Sequence, residues 1–254
     1  MTSFKKIVVA VEETPSGIHA LRAAAPIAEA AGATLVALSI ARDPWQGIRP
    51  EEVSTLRPGT APSDIAQERL IAQLQQVVGS AIGTARAAPM VRFGNPGIEL
   101  ARWARLEGAD LLILGRQPLG QFERRPAGRT LMETLRIATL PCLSVPFGQR
   151  TWTHVLGALG SERDAVVSEI ATAFAALWDE QPVLTRCAAK VVAAGHEAMH
   201  TDPTENLSNS LAVNQLLKLV RDEEHNVLVV DAAAAQVFVE RAPCAVLTVP
   251  VSTT

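Results

Sequence analysis

Apolar and polar positions follow two recurring patterns along this chain. Some stretches are short aliphatic runs without a polar break, and others are longer, with an apolar residue at every third or fourth place. The first pattern predicts strands buried on both faces, as in a parallel sheet, and the second predicts helices with one buried face. Runs of the first kind cover residues 6–11, 35–40, 90–93, 110–114 and 142–145. A helix follows Thr14-Pro15, with threonine as N-cap and proline at its first position; Ile18, Leu21, Ala25 and Ala28 mark its buried face and Gly32 stops it. A second helix spans 64–78 on Leu70, Leu74 and Val77. A third opens at Gly94-Asn95-Pro96, carries Ile98, Ala101 and Ala104, and closes at Gly108. A fourth starts near Thr130 with Leu131, Leu135 and Ala138 in line. Residues 43–63 have no period and several prolines, the mark of a surface excursion. Strands alternating with helices predict an α/β fold, an open, doubly wound parallel sheet with right-handed crossovers.

After Phe147-Gly148-Gln149 the order begins again. Residues 154–159 parallel the first strand. Ser161 and Asp164 form a capping box before a helix carrying Val166, Ile170, Phe174 and Leu177. Residues 183–186 and 190–194 have the character of strands, 211–224 of a helix, and 226–230 of a strand like 110–114. The chain then closes on APCAVLTVP, an echo of LPCLSVP. Two tandem copies are the simplest account, 1–147 complete and 150–254 shortened. The second copy lacks the long second helix. Between Asp231 and Arg241 it has only DAAAAQVFVER, which predicts neither a glycine loop nor its helix.

The first copy does have such a loop. Residues 108–146 give a buried strand ended by Gly115, a loop with Gly120, Gly128 and several arginines, then a helix and a last strand. Free backbone N–H groups and the helix dipole make such a junction an anion site. The stretch resembles the C-terminal half of a universal stress protein domain, where the strand is followed by glycine, two residues, glycine, nine residues, then Gly-Ser or Gly-Thr. Gly115 and Gly128 stand at the right separation, and Gly120 matches another common loop glycine. Pro118 replaces the second glycine of the pattern and Arg129 replaces the serine. The opening VAVEE resembles the family's Val-Ala-Val-Asp-Gly-Ser, with Glu12 for the aspartate.

The resemblance implies an adenine-nucleotide α-hydrolase-like fold and a regulatory role in the stress response. It also implies a site for ATP or AMP, in which Glu12 and Ile40 flank base and ribose while Leu114, Gly115, Gly120, Gly128, Arg129 and Thr130 hold ribose and phosphates. Family members commonly dimerise through the last strand. Here the matching strands 142–145 and 245–249 predict an intramolecular pseudo-dimer, with a homodimer as the further assembly. The alternative function is a scaffold that binds no nucleotide and works through contacts with a protein partner.

Composition narrows the classes further. A formal charge of −3 argues against nucleic acid as a partner. No apolar run reaches the ~18 residues of a membrane span, and no signal-peptide pattern opens the chain, so a cytoplasmic protein is expected. Three isolated cysteines fit reduced, buried thiols. Arg116, Arg124, Arg125 and Arg129 cluster beside the glycine loop, either solvated or drawing phosphate. Residues 196–200 spell HEAMH, a literal zinc-peptidase motif with His196 and His200 as ligands. Asp202-Pro203 follows directly, and the repeat places the segment in a loop, so no metal is expected there. No nucleophile elbow, Walker loop or G-x-G-x-x-G after the first strand is present. The expectation is a binding protein, with slow ATP hydrolysis as the most catalysis it allows.

Overall fold

The computed structural model describes residues 3–43, 62–83, 86–117, 128–186 and 203–250, the side chains of 62 and 203–210 excepted. Described residues form one sheet of nine strands and seven helices. In chain order these are β1 (Lys6–Ala10), α1 (Pro15–Ala31), β2 (Thr34–Ala41), α2 (Pro62–Ile82), β3 (Ala88–Phe93), α3 (Pro96–Leu106), β4 (Leu111–Arg116), α4 (Arg129–Ile137) and β5 (Cys142–Pro146). The C-terminal half continues with β6 (Val155–Leu159), α5 (Asp164–Ala175), β7 (Val183–Arg186), α6 (Pro203–Asp222), β8 (Val227–Asp231), α7 (Ala235–Arg241) and β9 (Ala245–Val249). The strand order is β3-β2-β1-β4-β5-β9-β8-β6-β7. Every pairing is parallel except β5 with β9.

Helices cover both faces, which is why the inner strands are apolar throughout. On one face Leu21, Leu74, Ile170 and Phe174, from α1, α2 and α5, pack on Ile7, Val9 and Val229. On the other, Leu100, Leu135, Leu216 and Phe238, from α3, α4, α6 and α7, pack on Val8, Leu112 and Leu228. Neither layer stops at the middle of the chain. Leu143, Val145, Leu247 and Val249 belong to one cluster, and Phe4 meets Phe174 edge-on at 6.1 Å.

The two halves repeat one arrangement, since β7-β6-β8-β9 takes the order of β2-β1-β4-β5. Registers make the equivalence residue by residue. Ile7 pairs with Leu111 as Val155 does with Val227, and Leu112 pairs with Cys142 as Leu228 does with Val246. At the junction Cys142 faces Thr248, Leu143 faces Leu247, and Ser144 faces Val246. Those pairs are what a local two-fold requires. It is carried into the side chains, because Ser144 Oγ donates to Val246 O at 3.3 Å and its counterpart Thr248 donates to Cys142 O at 3.1 Å. The expected joining of last strands is thus seen as an antiparallel ladder.

Several expectations need correction. Gly115 does not end the fourth strand: it and Arg116 pair with Val145 and Pro146, because β5 runs on far enough to extend the ladder. Ile98 and Val166 are exposed, the buried positions being Leu100 and Val167, so each apolar face lies slightly rotated from its predicted line. α6 begins eight residues before the expected start at 211, with a proline in its first position. α7 exists although no helix is expected there: Ala235, Phe238 and Val239 fall at i, i+3 and i+4 and are buried, so packing overrides the strand preference of Val-Phe-Val. The predicted strand 190–194 and most of the 43–63 excursion lie outside the described residues.

Candidate functional site

The strand order reverses between β1 and β4, and in open α/β sheets the crevice at such a point takes ligands at the carboxyl ends of the strands. Chain direction there is set by a tight turn. Thr14 caps α1, accepting the Gly17 N–H on Oγ1 at 3.1 Å, and Pro15 supplies the first-turn φ. A Cβ on Gly17 would stand 2.4 Å from Glu12 O, so only glycine allows the turn to fold back this closely. Glu12 and Glu13 are exposed at its rim. A Cβ on Gly115 would stand 2.2 Å from Ser16 O. The first turn of α1 therefore lies directly on the end of β4. Ser16 and Gly17 complete this contact and neither stands out along the chain, where the one signal is a glycine early in a helix, a place where it ordinarily costs stability.

Ile40 and Leu114 lie near the ends of β2 and β4 and belong to the same apolar layer, Leu114 buried and Ile40 half-buried. α4 opens on that face. Its N-cap is Gly128, with φ −50° and ψ 141°, and no side chain caps the helix. Its first turn has no acidic residue, and Arg129 is exposed at its first position, with Thr130 behind it. The helix is held by its neighbour. Thr134 Oγ1 lies 2.8 Å from Thr130 O and 3.1 Å from Gly97 O, and Asn95 donates to Glu133 at 3.1 Å. A Cβ on Gly97 would run into Glu133. The structure thus brings Ile40, Leu114, Gly115 and the Gly128–Thr130 turn to one end of the sheet. Gly120, like Pro118, Arg124, Arg125, His196 and His200, lies outside the described residues.

Arg116 departs most from the expected arginine cluster. It is 3% exposed and aims away from solvent. Its guanidinium donates to the carbonyls of Val239, Ala242 (2.9 Å) and Cys244 (2.8 Å), where α7 ends and β9 begins. Burial pulls its pKa down to about 10, so it stays charged at neutral pH. The thiols of Cys142 and Cys244 are pushed the other way by burial, to about 12 and about 11. Both are therefore protonated and shielded. Their contribution to stability is complete below pH 9, the unfolded value, and is lost as pH rises toward 11–12. With an aromatic disulfide reagent at pH 8, at most one thiol per chain, that of Cys187, is expected to react in the native protein; all three react after unfolding. Rapid native reaction of two or more would contradict this burial.

At the equivalent crevice of the C-terminal half the register sets Asp231 where the first half has Gly115. Its carboxylate accepts from Ser161 Oγ at 3.0 Å and from Ala233 N–H at 2.9 Å, with Arg163 Nε 3.9 Å away. The capping box expected of Ser161 and Asp164 forms only in half: Asp164 accepts from Ser161 N–H, but Ser161 Oγ accepts from Arg163 N–H, two residues on, and Arg163 is the N-cap of α5. Leu114 and Thr134 are twenty residues apart in the chain, whereas their counterparts Val230 and Phe238 are eight apart, so the twelve missing residues are those of the loop. What remains is a mostly apolar pocket lined by Leu159, Ser161, Val230, Asp231 and Phe238. A carboxylate and no loop oppose phosphate there.

A doubly wound α/β sheet with a glycine-capped helix at its switch point defines the class of this protein. Residues 3–146, more than half of the chain, match the model of the Universal stress protein family, and the chain belongs to that family. None of the curated proteins matches it in sequence. Among solved structures, a universal stress protein from Archaeoglobus fulgidus DSM 4304 is similar over 96% of this chain and 98% of its own, at 10% identity and a TM-score of 0.67. A putative universal stress protein from Pseudomonas aeruginosa UCBPP-PA14 aligns over 98% and 94%, at 16% identity and a TM-score of 0.59. A protein of unknown function from Pseudomonas aeruginosa PAO1 aligns over 98% and 93%, at 17% and 0.58. At these identities the likeness is one of fold, and it extends over both halves. Among the described residues no helix is long and apolar enough to cross a membrane.

Proposed function

We propose that this protein is a tandem stress-response regulator, with domains 1–147 and 150–254, that binds one adenine nucleotide, ATP or AMP, in its N-terminal domain. The observation that carries the reading is the start of α4. A glycine N-cap without a side-chain acceptor leaves first-turn N–H groups for another acceptor. Arg129 at the first helical position opposes the helix dipole by about 0.3–1 kcal/mol, a cost that a bound phosphate reverses. Ile40 and Leu114 supply an apolar wall for a base at the same end of the sheet. The C-terminal domain, with Asp231 and no loop, takes no nucleotide. Action is through binding, in the cytoplasm, and is passed to a protein partner.

The scaffold reading has one specific support. Pro118 replaces a loop glycine and removes a backbone donor, and losing a hydrogen bond to a charged group costs about 1.5–3 kcal/mol, roughly ten- to a hundredfold in affinity. Calorimetric titration with ATP and AMP separates the two. Wild type is expected to bind one equivalent, Arg129→Ser to bind ATP more weakly, and Pro118→Gly to bind it more tightly. No heat from wild type and none gained by Pro118→Gly would leave the scaffold standing.

A further inference from the structure

Arg116 follows Gly115 directly and is the last residue of β4, so the glycine loop departs from its backbone. Its side chain is spent entirely on the other half of the molecule. Val239 and Ala242 lie at the C-terminal end of α7, where carbonyls lack intrahelical partners and the dipole favours a cation. Cys244 O, just before β9, is the third acceptor. Among the described residues no carboxylate accompanies the guanidinium. A buried cation of this kind is tolerated only while its hydrogen bonds are complete, so the three carbonyls and the end of β4 must hold their places together.

The clamp runs one way. By register the counterpart of Gly115 is Asp231, so that of Arg116 is Ala232, which has no group to send across the junction. The end of β4 is therefore anchored on the C-terminal half, while among the described residues no side chain at the equivalent position anchors the C-terminal half in return.

We infer that Arg116 is a positioning residue that couples ligand binding at the crevice between the end of β4 and the start of α4 to docking of the C-terminal half, an inference that rests on the nucleotide reading above. The C-terminal half, which has no glycine loop of its own, serves as the fixed seat of the end of β4. Linkage makes the coupling reciprocal: whatever docking adds to nucleotide affinity, nucleotide adds to docking by the same factor.

The test uses the full chain, with ATP as the probe, at a temperature where circular dichroism shows each variant folded. In wild type, ATP is expected to slow amide exchange across residues 239–246, which hold the Arg116 side chain. Arg116→Met is expected to weaken ATP binding by about tenfold or more and to abolish that protection. Arg116→Lys, which still offers three N–H donors on a cation, recovers most of both. A folded Arg116→Met that binds ATP as wild type does overturns the coupling and leaves the nucleotide reading intact. So does wild-type exchange at 239–246 that ignores bound ATP, a result that needs no variant. Wild type that binds no ATP overturns the nucleotide reading, and the coupling with it.

Discussion

Leu143→Asp is expected to cost at least about 4 kcal/mol and to leave the chain largely unfolded at moderate denaturant. Leu143 is fully buried and faces Leu247 at the centre of the β5–β9 ladder, in an apolar cluster fed from both halves. Truncating a buried leucine alone costs about 2–5 kcal/mol, and an unpaired carboxylate in the same place adds its desolvation. Against the ~5–15 kcal/mol of a typical domain, that is a large share. Urea unfolding followed by circular dichroism and by tryptophan fluorescence checks it. Wild type should unfold in one transition by both probes, because the cores are continuous across the junction. Leu211→Asp, at an exposed site on α6, should shift stability by no more than about 0.5 kcal/mol. Two separate wild-type transitions, or a Leu143→Asp midpoint near wild type, would show that the halves do not depend on the junction.

The second large effect separates two glycines of one motif. Gly115→Ala would bring a methyl within 2.2 Å of Ser16 O, a backbone atom fixed in the first turn of α1. Either α1 or the end of β4 must shift, and overpacking of this kind costs about 1–3 kcal/mol. Gly128→Ala meets nothing within 4 Å, and the backbone there has φ −50°, open to any residue. Its cost is confined to a poorer N-cap, no more than about 1 kcal/mol. Thermal unfolding of the two variants side by side is the check. Equal losses would mean that the close approach of α1 to β4 is not what requires Gly115.

Much of this architecture is legible along the chain because buried parallel strands are written as uninterrupted aliphatic runs. Residues 110–114 and 226–230 mark β4 and β8 without ambiguity, and Thr14-Pro15 and Asn95-Pro96 announce two helix starts that the structure bears out in cap geometry. The matching LPCLSVP and APCAVLTVP announce the junction, though not the hydroxyls of Ser144 and Thr248 reaching across it. What stays hidden depends on partners distant in sequence. α7 is too short for a period to show and forms because Phe238 finds a pocket among α6 and the sheet. Arg116 reads as one of four arginines beside a loop, and only the fold brings the carbonyls 123 to 128 residues away to its guanidinium. Gly115 is visible as a glycine of the motif, but its packing reason, the backbone of Ser16, is not.

One nucleotide is expected to bind, at the end of β4 and the start of α4 and nowhere else. A crystal structure of the full chain grown with ATP is the check. It should show one ATP per chain, its phosphates on the backbone N–H groups of the Gly128–Leu131 turn and against Arg129, its base toward Ile40 and Leu114. Density for the nucleotide in the pocket beside Asp231, or none at the start of α4, would contradict it.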